Sequence, residues 1–543
     1  MKKKKVNYLK RFLNHRKENI IQYQKIKAFC KKNAAFWEKE DKSFEKQDRN
    51  VFIANTLYNM CEYLYETILY AKGMEAAGKC KIWVLSARKE MLFHKICRSF
   101  GVDGILLNNV SWKRYLKNIF YTFKILFDIR KGMDLLQYKH KGILIGPSIY
   151  DTILVRTGRG TYENTVNTRI YKTIFSAIMI TDELMILFEK NHPDVCIVME
   201  ESYEAEIYRR VVQHFGGKII WVNKLIKEYI GLDGKGTVLY DNAVKREIDE
   251  ALKLMGEDTA YVEKTDAILK KYYEHGDLTE LKGRVTGDAV KGKHTVSKQE
   301  VEETLKLKKN KKNVFIFSHC MTDGPHSCPE LLYRDFYVWL DKTLEIAVKI
   351  RNVNWIVKFH PDRFRRNGAE SIETNRIIDK FKNYDHIFFY PDQYSLSSVI
   401  PVADVVITAR GTVGEELPCY GVPVVTAGKP CYSVWGYTYT YDSVKEYEEC
   451  LYNIASIGKL SEDKIKLAKK VFWAHMIGVH EIERDEIMNY IMEANEMRKE
   501  GIIGRKVNIY YMNAVTDDSS LNMMKKSSLY LEGMKLGIER YSI

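Results

Sequence analysis

One unit of the sequence, a strand, turn, helix and second strand between Ala403 and Gly428, limits the choice of fold more than any other. Residues 404–408 form a short apolar run rich in β-branched side chains, which predicts a buried parallel strand. Residues 413–420 have helical spacing, a glycine and a proline end that helix, and residues 424–426 form the next strand. Parallel neighbours need a crossover connection, so the unit predicts an α/β sheet.

The turn inside this unit, Arg410-Gly411-Thr412, predicts an anion site. Such a turn points the N–H groups at the helix start, with about half a unit of positive dipole charge, toward the carboxyl edge of the sheet. Gly411 and Gly414 would let a ligand approach the backbone closely. Glu415 and Glu416 lie one turn further on, where a carboxylate can accept hydrogen bonds from ribose hydroxyls. A βαβ unit without a ligand has the same pattern, so that alternative stays open.

Short apolar strands alternate with helical stretches along most of the chain, which predicts parallel, doubly wound sheets. The predicted strands of the first part are residues 51–54, 81–85, 104–107, 142–145, 195–199 and 218–222. Those of the second part are residues 314–318, 354–359 and 387–390, followed by the two strands of the unit above. A chain of 543 residues is too long for one ordinary core and predicts two such domains.

The predicted fold class is therefore α/β, with two Rossmann-like doubly wound domains facing a cleft, an extra basic N-terminal helix and C-terminal helices. The predicted segments are a basic helical arm at 1–48, an N-terminal Rossmann-like domain at 49–225, a helical linker region at 226–312, a C-terminal Rossmann-like domain at 313–500 and a tail at 501–543.

The positive charge of the chain is concentrated at its N-terminus. The formal net charge is +15, and residues 1–50 contain 16 basic and 6 acidic side chains. Because the excess lies in one terminal segment without a nucleic-acid-binding motif, nucleic acid is not a predicted partner. Val6, Leu9, Leu13 and Ile20 give this segment a rough apolar stripe. Residues 1–45 therefore either rest on an anionic membrane surface or pack on the body of the protein.

The sequence also predicts a cellular location. No apolar run reaches the roughly 18 residues of a membrane span, and no apolar segment follows the lysine-led start as in a secretion signal. The ten cysteines form no C-x-x-C pair, which favours a reducing compartment. We expect a cytoplasmic protein, peripheral on the inner face of the cell membrane if the N-terminal arm binds lipid.

A histidine ends one strand of the second domain, in the sequence His360-Pro361-Asp362. A histidine at the carboxyl end of a strand, held by the following proline, can donate a hydrogen bond to a phosphate oxygen of a leaving nucleotide. Lys358 precedes it by two residues and would add positive charge. A plain His-Pro turn is the alternative, and the glycine turn two strands later favours the phosphate role.

The loop SHCMTDGPHSC follows the first strand of the same domain. His319, Cys320, His326 and Cys328 are potential metal ligands, but their spacing matches no common zinc pattern. The sequence also lacks a D-x-D pair to hold a metal-bridged diphosphate. We therefore expect no metal cofactor, and we interpret His319 and Asp323 as polar groups beside a substrate.

Acidic residues follow two strands of the first domain. Asp151 ends the sequence GPSIYD, and Glu200 and Glu201 end VMEE. A carboxylate facing the cleft is the usual group for deprotonating an acceptor hydroxyl or attacking an anomeric carbon, although each acid alone is more often a helix cap or a surface group. Arg156 and Arg159, in RTGRG, would contact an anionic acceptor.

Three stretches carry a resemblance to a known family: SHCMTDGPHSCPELLYRDFYVWLDKTLEIA at 318–347, NWIVKFHPD at 354–362 and TARGTVGEELPCYGVPVVTAGKPCYS at 408–433. In these, the chain resembles the GT-B glycosyltransferases of bacterial capsule and surface-polysaccharide synthesis, a group that includes the Kdo transferases using CMP-Kdo. The resemblance extends more loosely over residues 140–440. Arg410 departs from the family pattern, which often has a small or amide residue at that position.

The resemblance implies a glycosyltransferase that moves a sugar, Kdo or a related acidic sugar, from a nucleotide donor to a glycan or lipid-linked glycan acceptor. The C-terminal domain would bind the nucleotide sugar, with His360 and Pro361 at the donor phosphate, and the N-terminal domain would bind the acceptor. The nucleotide sugar is then a co-substrate and no other cofactor is expected. Three alternatives stay open: a nucleotide-sugar 2-epimerase, a CDP-glycerol-type glycerophosphotransferase, and a non-catalytic protein that kept the fold.

Overall fold

The structure is a computed structural model. It describes residues 20–38, 49–54, 62–78, 80–86, 91–107, 111–199, 202–223, 226–232, 238–240, 242–275, 293–326, 331–364, 369–478, 485–499, 505–515 and 517–539. Statements about its structure below concern these residues.

The first domain contains a seven-stranded sheet in the order β3-β2-β1-β6-β7-β8-β9. The strands are β1 (Asn50–Ala54), β2 (Lys81–Ser86), β3 (Gly104–Leu107), β6 (Val195–Val198), β7 (Lys218–Asn223), β8 (Ile226–Leu232) and β9 (Val238–Tyr240). The first five pair in parallel, whereas β8 and β9 add to the edge in antiparallel fashion. The continuous apolar runs at β1, β2 and β6 are what a parallel sheet covered on both faces requires.

The strand predicted at 142–145 is wrong as a member of this sheet. Instead β4 (Lys139–His140) and β5 (Ile143–Leu144) form a separate antiparallel hairpin. Its two turn residues, Lys141 and Gly142, both have positive φ angles, of 50° and 84°. Two consecutive left-handed residues match the twist of a tight hairpin, so the chain reverses here instead of crossing over.

Helices cover both faces of the first sheet. One face is covered by residues 20–38 (α1), α2 (Thr67–Gly78) and α3 (Met91–Ser99), and the other by α4 (Trp112–Arg130), α5 (Gly146–Thr157), α6 (Thr168–Lys190) and α7 (Ala205–His214). The described part of the predicted N-terminal arm is therefore a packed helix, because Ile26, Phe29 and Trp37 lie in the first-domain core. Val6, Leu9 and Leu13 lie outside the described residues.

The predicted linker at 226–312 contains two different kinds of structure. Its first residues form β8 and β9 of the first sheet. The rest includes α8 (Asn242–Met255), α9 (Ala260–His275) and α10 (Lys298–Leu305). Leu269 and Tyr272, one turn apart on α9, are buried in the second-domain core. Charged surface positions hid this apolar stripe, which the sequence pattern did not indicate.

The second domain contains a six-stranded, fully parallel sheet in the order β12-β11-β10-β13-β14-β15. The strands are β10 (Lys312–Phe317), β11 (Val353–Lys358), β12 (Ile387–Phe389), β13 (Val405–Thr408), β14 (Val424–Thr426) and β15 (Tyr439–Thr440). The helices around it include α11 (Phe336–Ala347), α12 (Ala369–Phe381), α13 (Val413–Glu416), α14 (Val444–Tyr452) and α15 (Glu462–Trp473). The predicted α/β class with two Rossmann-like domains is confirmed.

The last helices return to the first domain. They are α16 (Glu486–Lys499), α17 (Arg505–Ala514), α18 (Asp518–Lys526) and α19 (Ser528–Glu539), and their buried side chains join the core around α2. Glycines allow α19 to cross α2 closely, since a Cβ atom on Gly73 would lie 2.0 Å from the Tyr530 carbonyl oxygen. The predicted second domain at 313–500 includes α16, but the buried side chains of α16 lie in the first-domain core. No helix of the described residues has the length and apolarity to cross a membrane.

Candidate functional site

A cavity of about 260 Å³ lies at the carboxyl edge of the second sheet, where β10, β11 and β13 end side by side. β11 and β13 flank β10 on opposite sides, so the cavity occupies a switch point, the usual ligand position in an open α/β sheet. Its lining includes Tyr272, Phe317, Ser318, His319, Lys358, Phe359, His360, Pro361, Leu396, Thr408, Arg410, Gly411, Thr412, Val413 and Glu416. The structure thus brings together predicted residues from three separate loops. We call this cavity the second-domain pocket.

Lys358, the last residue of β11, places a buried ammonium group in the pocket. Its Nζ atom lies 5.6 Å from the centre of the Phe317 ring. Burial lowers the pKa of Lys358 to about 7, and the positive charges of Lys293 and Arg363 act in the same direction. An amine with this pKa gains stability from any anion that enters the pocket.

His319 and Arg410 form one unit on the opposite wall. The His319 Nε2 atom accepts a hydrogen bond of 3.0 Å from the Arg410 backbone N–H, which assigns the proton of the neutral ring to Nδ1. The His319 ring stacks on Phe336 at 4.3 Å between centroids. Burial lowers the pKa of His319, and the Arg410 charge adds to the effect. His319 therefore holds the turn at Arg410 in place as a neutral imidazole.

The Arg410 guanidinium group is only partly satisfied by the protein. One terminal nitrogen donates to the Gly324 carbonyl oxygen at 2.8 Å, and the group lies 5.0 Å from the centre of the Phe336 ring. Its Nη1 atom is buried and meets no hydrogen-bond acceptor among the described residues. A buried cationic donor without an acceptor is costly, so an anionic oxygen that reached this atom would stabilise it.

His360 lies beside Lys358 at the end of β11 and also lines the pocket. Its backbone N–H donates to the Ser318 hydroxyl at 3.0 Å, which joins the ends of β10 and β11. Burial lowers the pKa of the His360 imidazole, with the Lys358 charge acting in the same direction. Burial and neighbouring positive charges thus lower the pKa values of Lys358, His319 and His360, a perturbation typical of ligand-binding sites.

The backbone N–H groups of Gly411 and Gly414 bond within the protein, whereas the sequence predicted that N–H groups of this turn would bind an anion. The Gly411 N–H donates to the Thr408 hydroxyl at 3.1 Å, and the Gly414 N–H donates to the Gly411 carbonyl at 2.9 Å. A Cβ atom on Gly414 would lie 2.1 Å from the Tyr432 hydroxyl, so this glycine accommodates a tyrosine and not a ligand. Side chains, more than these backbone N–H groups, therefore supply the positive charge of the pocket.

The side chains of the two glutamates of α13 point in different directions. Glu416 lines the pocket and accepts a hydrogen bond from the Tyr273 hydroxyl, while burial raises the pKa of its carboxyl group. Glu415 turns away from the pocket, and its carboxylate lies 3.0 Å from His475 Nδ1. A role in holding a ribose is therefore open to Glu416 and geometrically unsuited to Glu415.

Sequence reasoning missed Tyr272 and Tyr273 as parts of the site. Both belong to α9, in the segment predicted as a linker, and they approach α13 from more than 140 residues away in sequence, as the Tyr273–Glu416 bond shows. A pair of adjacent tyrosines in a charged helix has no local pattern that indicates a pocket. Only the packing of α9 on the second domain brings them there.

Asp151 lies apart from the pocket lining and joins the two domains. It is fully buried in α5, where its carboxylate oxygens accept hydrogen bonds from the His326 backbone N–H at 2.9 Å and from His326 Nδ1 at 2.6 Å. His326 Nε2 lies 2.8 Å from the Arg334 carbonyl oxygen. Although burial opposes it, the Asp151 carboxylate raises the pKa of His326. Asp151 is thus inside a helix, and not in the turn that the sequence predicted.

Other predicted residues also lie at this interface. Asp323 is exposed outside the pocket lining and accepts a hydrogen bond from the Tyr203 hydroxyl at 2.9 Å. Arg159 of the first domain lies 3.1 Å from the Glu373 carboxylate of the second. Glu200 and Glu201 lie outside the described residues.

The three described residues of the 318–328 loop that were considered as metal ligands do not converge. His319 faces Arg410, Cys320 contacts the Glu370 carboxylate, and His326 contacts Asp151. Cys328 lies outside the described residues. Among the described residues, one trio of ligand types does meet, namely Glu415, Cys431 and His475. The expectation that the protein needs no metal stays a prediction.

Comparison with known proteins gives weak likenesses. No protein-family profile matches the sequence, and no curated protein matches it. Among solved structures, KpsC of Thermosulfurimonas dismutans, a β-Kdo 2,7-transferase, is 15% identical over 54% of this chain and 80% of its own, with a TM-score of 0.30. The UDP-GlcNAc 2-epimerase of Neisseria meningitidis is 12% identical over 79% and 99%, with a TM-score of 0.24. The spinosyn rhamnosyltransferase SpnG is 11% identical over 79% and 97%, with a TM-score of 0.26. Scores this low leave the fold assignment to the two sheets themselves.

Proposed function

We propose that this protein is a glycosyltransferase that moves a sugar from a nucleotide donor, with the nucleotide phosphates in the second-domain pocket. One observation carries the proposal: a pocket at the switch point of a parallel sheet is lined by Lys358, His360 and Arg410, and the buried Nη1 atom of Arg410 has no acceptor among the described residues. A phosphate group would supply the missing acceptors, and its charge would restore the protonated form of Lys358.

The same cations account for how transfer would proceed. When a sugar leaves its nucleotide, negative charge develops on the leaving phosphate oxygen, and positioned donors stabilise that charge. His360 and Lys358 would perform this role, and Arg410 would hold the second phosphate or the acid group of the donor. The positive charge that a divalent metal supplies in other diphosphate sites would come from side chains. We therefore propose a transferase that needs no metal.

A second cavity, of about 500 Å³, gives the first domain room for an acceptor. It lies between the end of α5 and the start of α6 and is lined by polar side chains that include Arg159, Thr161, Glu163 and Arg169. The Arg159–Glu373 ion pair places its rim at the domain interface. Hydroxyl, carboxylate and guanidinium groups suit a glycan, and we propose an acidic surface polysaccharide as acceptor and Kdo or a related acidic sugar as the transferred group.

A nucleotide-binding measurement tests the proposal. Titration calorimetry with CMP, CDP, UDP and GDP should find one base that binds, and Lys358→Met should weaken that binding about a hundredfold, the value of a close ion pair in a buried site. Lys349→Met is the matched control, because Lys349 is an exposed lysine of the same domain. Equal affinities of the two variants, or no binding of any nucleotide by the parent protein, would contradict the proposal.

Product analysis separates the proposed transferase from the alternatives. A 2-epimerase would convert a UDP-sugar without any acceptor, whereas a transferase would need an added glycan. Glycerol phosphate transfer from CDP-glycerol would indicate the third candidate. Nucleotide binding without turnover of any of these donors would favour a non-catalytic protein.

The first-domain acid is the least defined part of the proposal. Asp151 is bound to His326, so a variant of Asp151 alters the domain contact as well as any acid chemistry. Measuring kcat and nucleotide affinity for Asp151→Asn, Glu200→Gln and Glu201→Gln in parallel would identify the acid at the acceptor. The variant that lacks this acid should have a lower kcat and an unchanged nucleotide affinity.

A further inference from the structure

Helix α4 exposes an unusual amount of apolar surface. Trp112 is 71% exposed and Phe120 is 70% exposed, and more than half of the surface of Phe123 and of Phe127 faces solvent. Tyr115 and Leu116 extend the same surface. Single exposed apolar residues are common, but a contiguous apolar strip on a folded domain marks an interaction site.

The exposed side chains share one face of the helix. Trp112, Leu116, Phe120, Phe123 and Phe127 follow one another at intervals of four, four, three and four residues, which keeps them in line along an α-helix. Two aromatic side chains of α6 widen the strip, because Phe123 lies 5.3 Å from Tyr171 and Tyr115 lies 5.1 Å from Phe175 between ring centroids.

The other side of α4 fixes the helix to the domain. Asn118, Thr122, Ile125, Leu126 and Ile129 are its buried residues, and α4 packs against α6. The helix therefore does not depend on the exposed strip for its attachment. The strip is available to contact something outside the protein.

Basic side chains flank the apolar strip. Residues 112–131 contain one acidic residue, Asp128, and six basic residues: Lys113, Arg114, Lys117, Lys124, Arg130 and Lys131. A second copy of this surface, paired about a twofold axis, would bring like charges together. An apolar strip beside a row of cations instead matches a bilayer, whose acyl chains accept the rings and whose phosphates accept the lysines.

We propose that α4 is an interfacial helix that docks the protein on an anionic phospholipid bilayer. The aromatic strip would sink roughly 5–10 Å into the headgroup and acyl boundary, while Lys117 and Lys124 would contact lipid phosphates. This assigns membrane contact to a folded part of the first domain, whereas the sequence pointed to the N-terminal arm. The proposal stands independently of sugar transfer.

Vesicle sedimentation with the full chain tests this. Vesicles of phosphatidylcholine and phosphatidylglycerol should retain the protein, and vesicles of phosphatidylcholine alone should retain much less. The double substitution Phe120→Ser with Phe127→Ser should lower partitioning by about tenfold or more, because two rings lose their apolar contact. Lys117→Gln with Lys124→Gln should lower it by about thirtyfold, at about 1 kcal/mol for each lysine near the surface.

Control variants show whether α4, and no other part of the chain, makes the membrane contact. Tyr452→Ser changes an exposed aromatic residue of α14 in the second domain and should bind like the parent protein. Deleting residues 1–19 should leave binding within a few fold, and a complete loss would assign the contact to the arm instead. Parent-like binding by the phenylalanine variant, or self-association that this variant abolishes, would overturn the proposal. Melting temperatures confirm that each variant is folded.

Discussion

The carboxyl edges of the two sheets differ in how their charges are satisfied. In the first domain, the buried Glu206 carboxylate at the start of α7 accepts hydrogen bonds from the Ser148 hydroxyl at 2.6 Å and from Arg210 Nε at 2.7 Å. Although burial opposes it, Arg210 and Arg209 lower the pKa of Glu206. In the second domain, Lys358 and Arg410 face a cavity instead.

This difference distinguishes a buried charge that is paired within the protein from a charge that faces a cavity. An ion pair that the protein completes itself contributes to the rigidity of the domain, and breaking it leaves an uncompensated buried ion. A cation held with a lowered pKa and no complete set of acceptors reaches its preferred state when a ligand arrives. We therefore expect one sheet edge to act as a rigid support and the other, under the proposed function, as a binding edge.

The largest expected difference between the two edges is in stability. Glu206→Gln should lower the free energy of unfolding by about 3–5 kcal/mol, because it leaves two buried arginines without their carboxylate. Lys358→Met should leave the stability unchanged or raise it, because it removes a desolvated cation. Urea unfolding followed by circular dichroism measures both. Similar losses in the two variants would mean that the two edges are alike.

The next effect concerns turnover. His360→Ala should lower the rate of donor consumption by about a hundredfold, the usual cost of losing one positioned donor to a developing negative charge. The fold should survive, since the contact that joins β10 and β11 here uses the His360 backbone N–H. A folded variant with the parent rate would remove the phosphate role from His360.

The pH dependence of nucleotide binding is a further test of the difference between the two sheet edges. Lys358 has a pKa of about 7 in the empty pocket, and a bound phosphate would raise that pKa. Binding is then strongest when the lysine is already protonated, below pH 7, and each pH unit above 7 should weaken it by up to about tenfold. Calorimetry between about pH 7 and 9, where the phosphate charge stays constant, measures this. Lys358→Met should flatten the profile, and an equally steep profile in that variant would exclude Lys358 as its cause.

The smallest expected effect distinguishes the two glutamates of α13. Glu416→Gln should raise the donor KM by roughly fivefold, the value of about one hydrogen bond, with little change in kcat. Glu415→Gln should leave KM nearly unchanged, because Glu415 faces His475. Both variants need a stability measurement, since both carboxylates are buried. A larger KM change for Glu415 would reverse the assignment.

Local sequence patterns predicted most strands and the fold class correctly. The β-branched runs at β10, β11 and β13 have one stable environment, the interior of a covered parallel sheet, so short-range sequence is enough to place them. The same patterns placed His319, Lys358, His360 and Arg410 at strand ends. Because the carboxyl ends of parallel strands share one edge, those residues had to meet.

Local sequence patterns gave wrong predictions where contacts with other parts of the chain determine the structure. Residues 142–145 are apolar enough for a sheet strand, but two left-handed residues turn the chain into a hairpin. The helix α16 could have packed on either domain by composition, and its buried side chains join the core around α2. The glycine turn looked like a phosphate loop, but Tyr432 fills the space beside Gly414.

The sequence by itself thus determined the two Rossmann-like sheets and the set of cations at one sheet edge, because backbone periodicity and strand polarity are local properties. The tertiary structure alone decided which charges are neutralised. Glu206, Asp151 and Glu415 have hydrogen-bond partners that lie 58, 175 and 60 residues away in sequence. It also decided that α4 keeps its aromatic face in solvent, because whether an amphipathic face is covered depends on what packs against it and not on its own pattern.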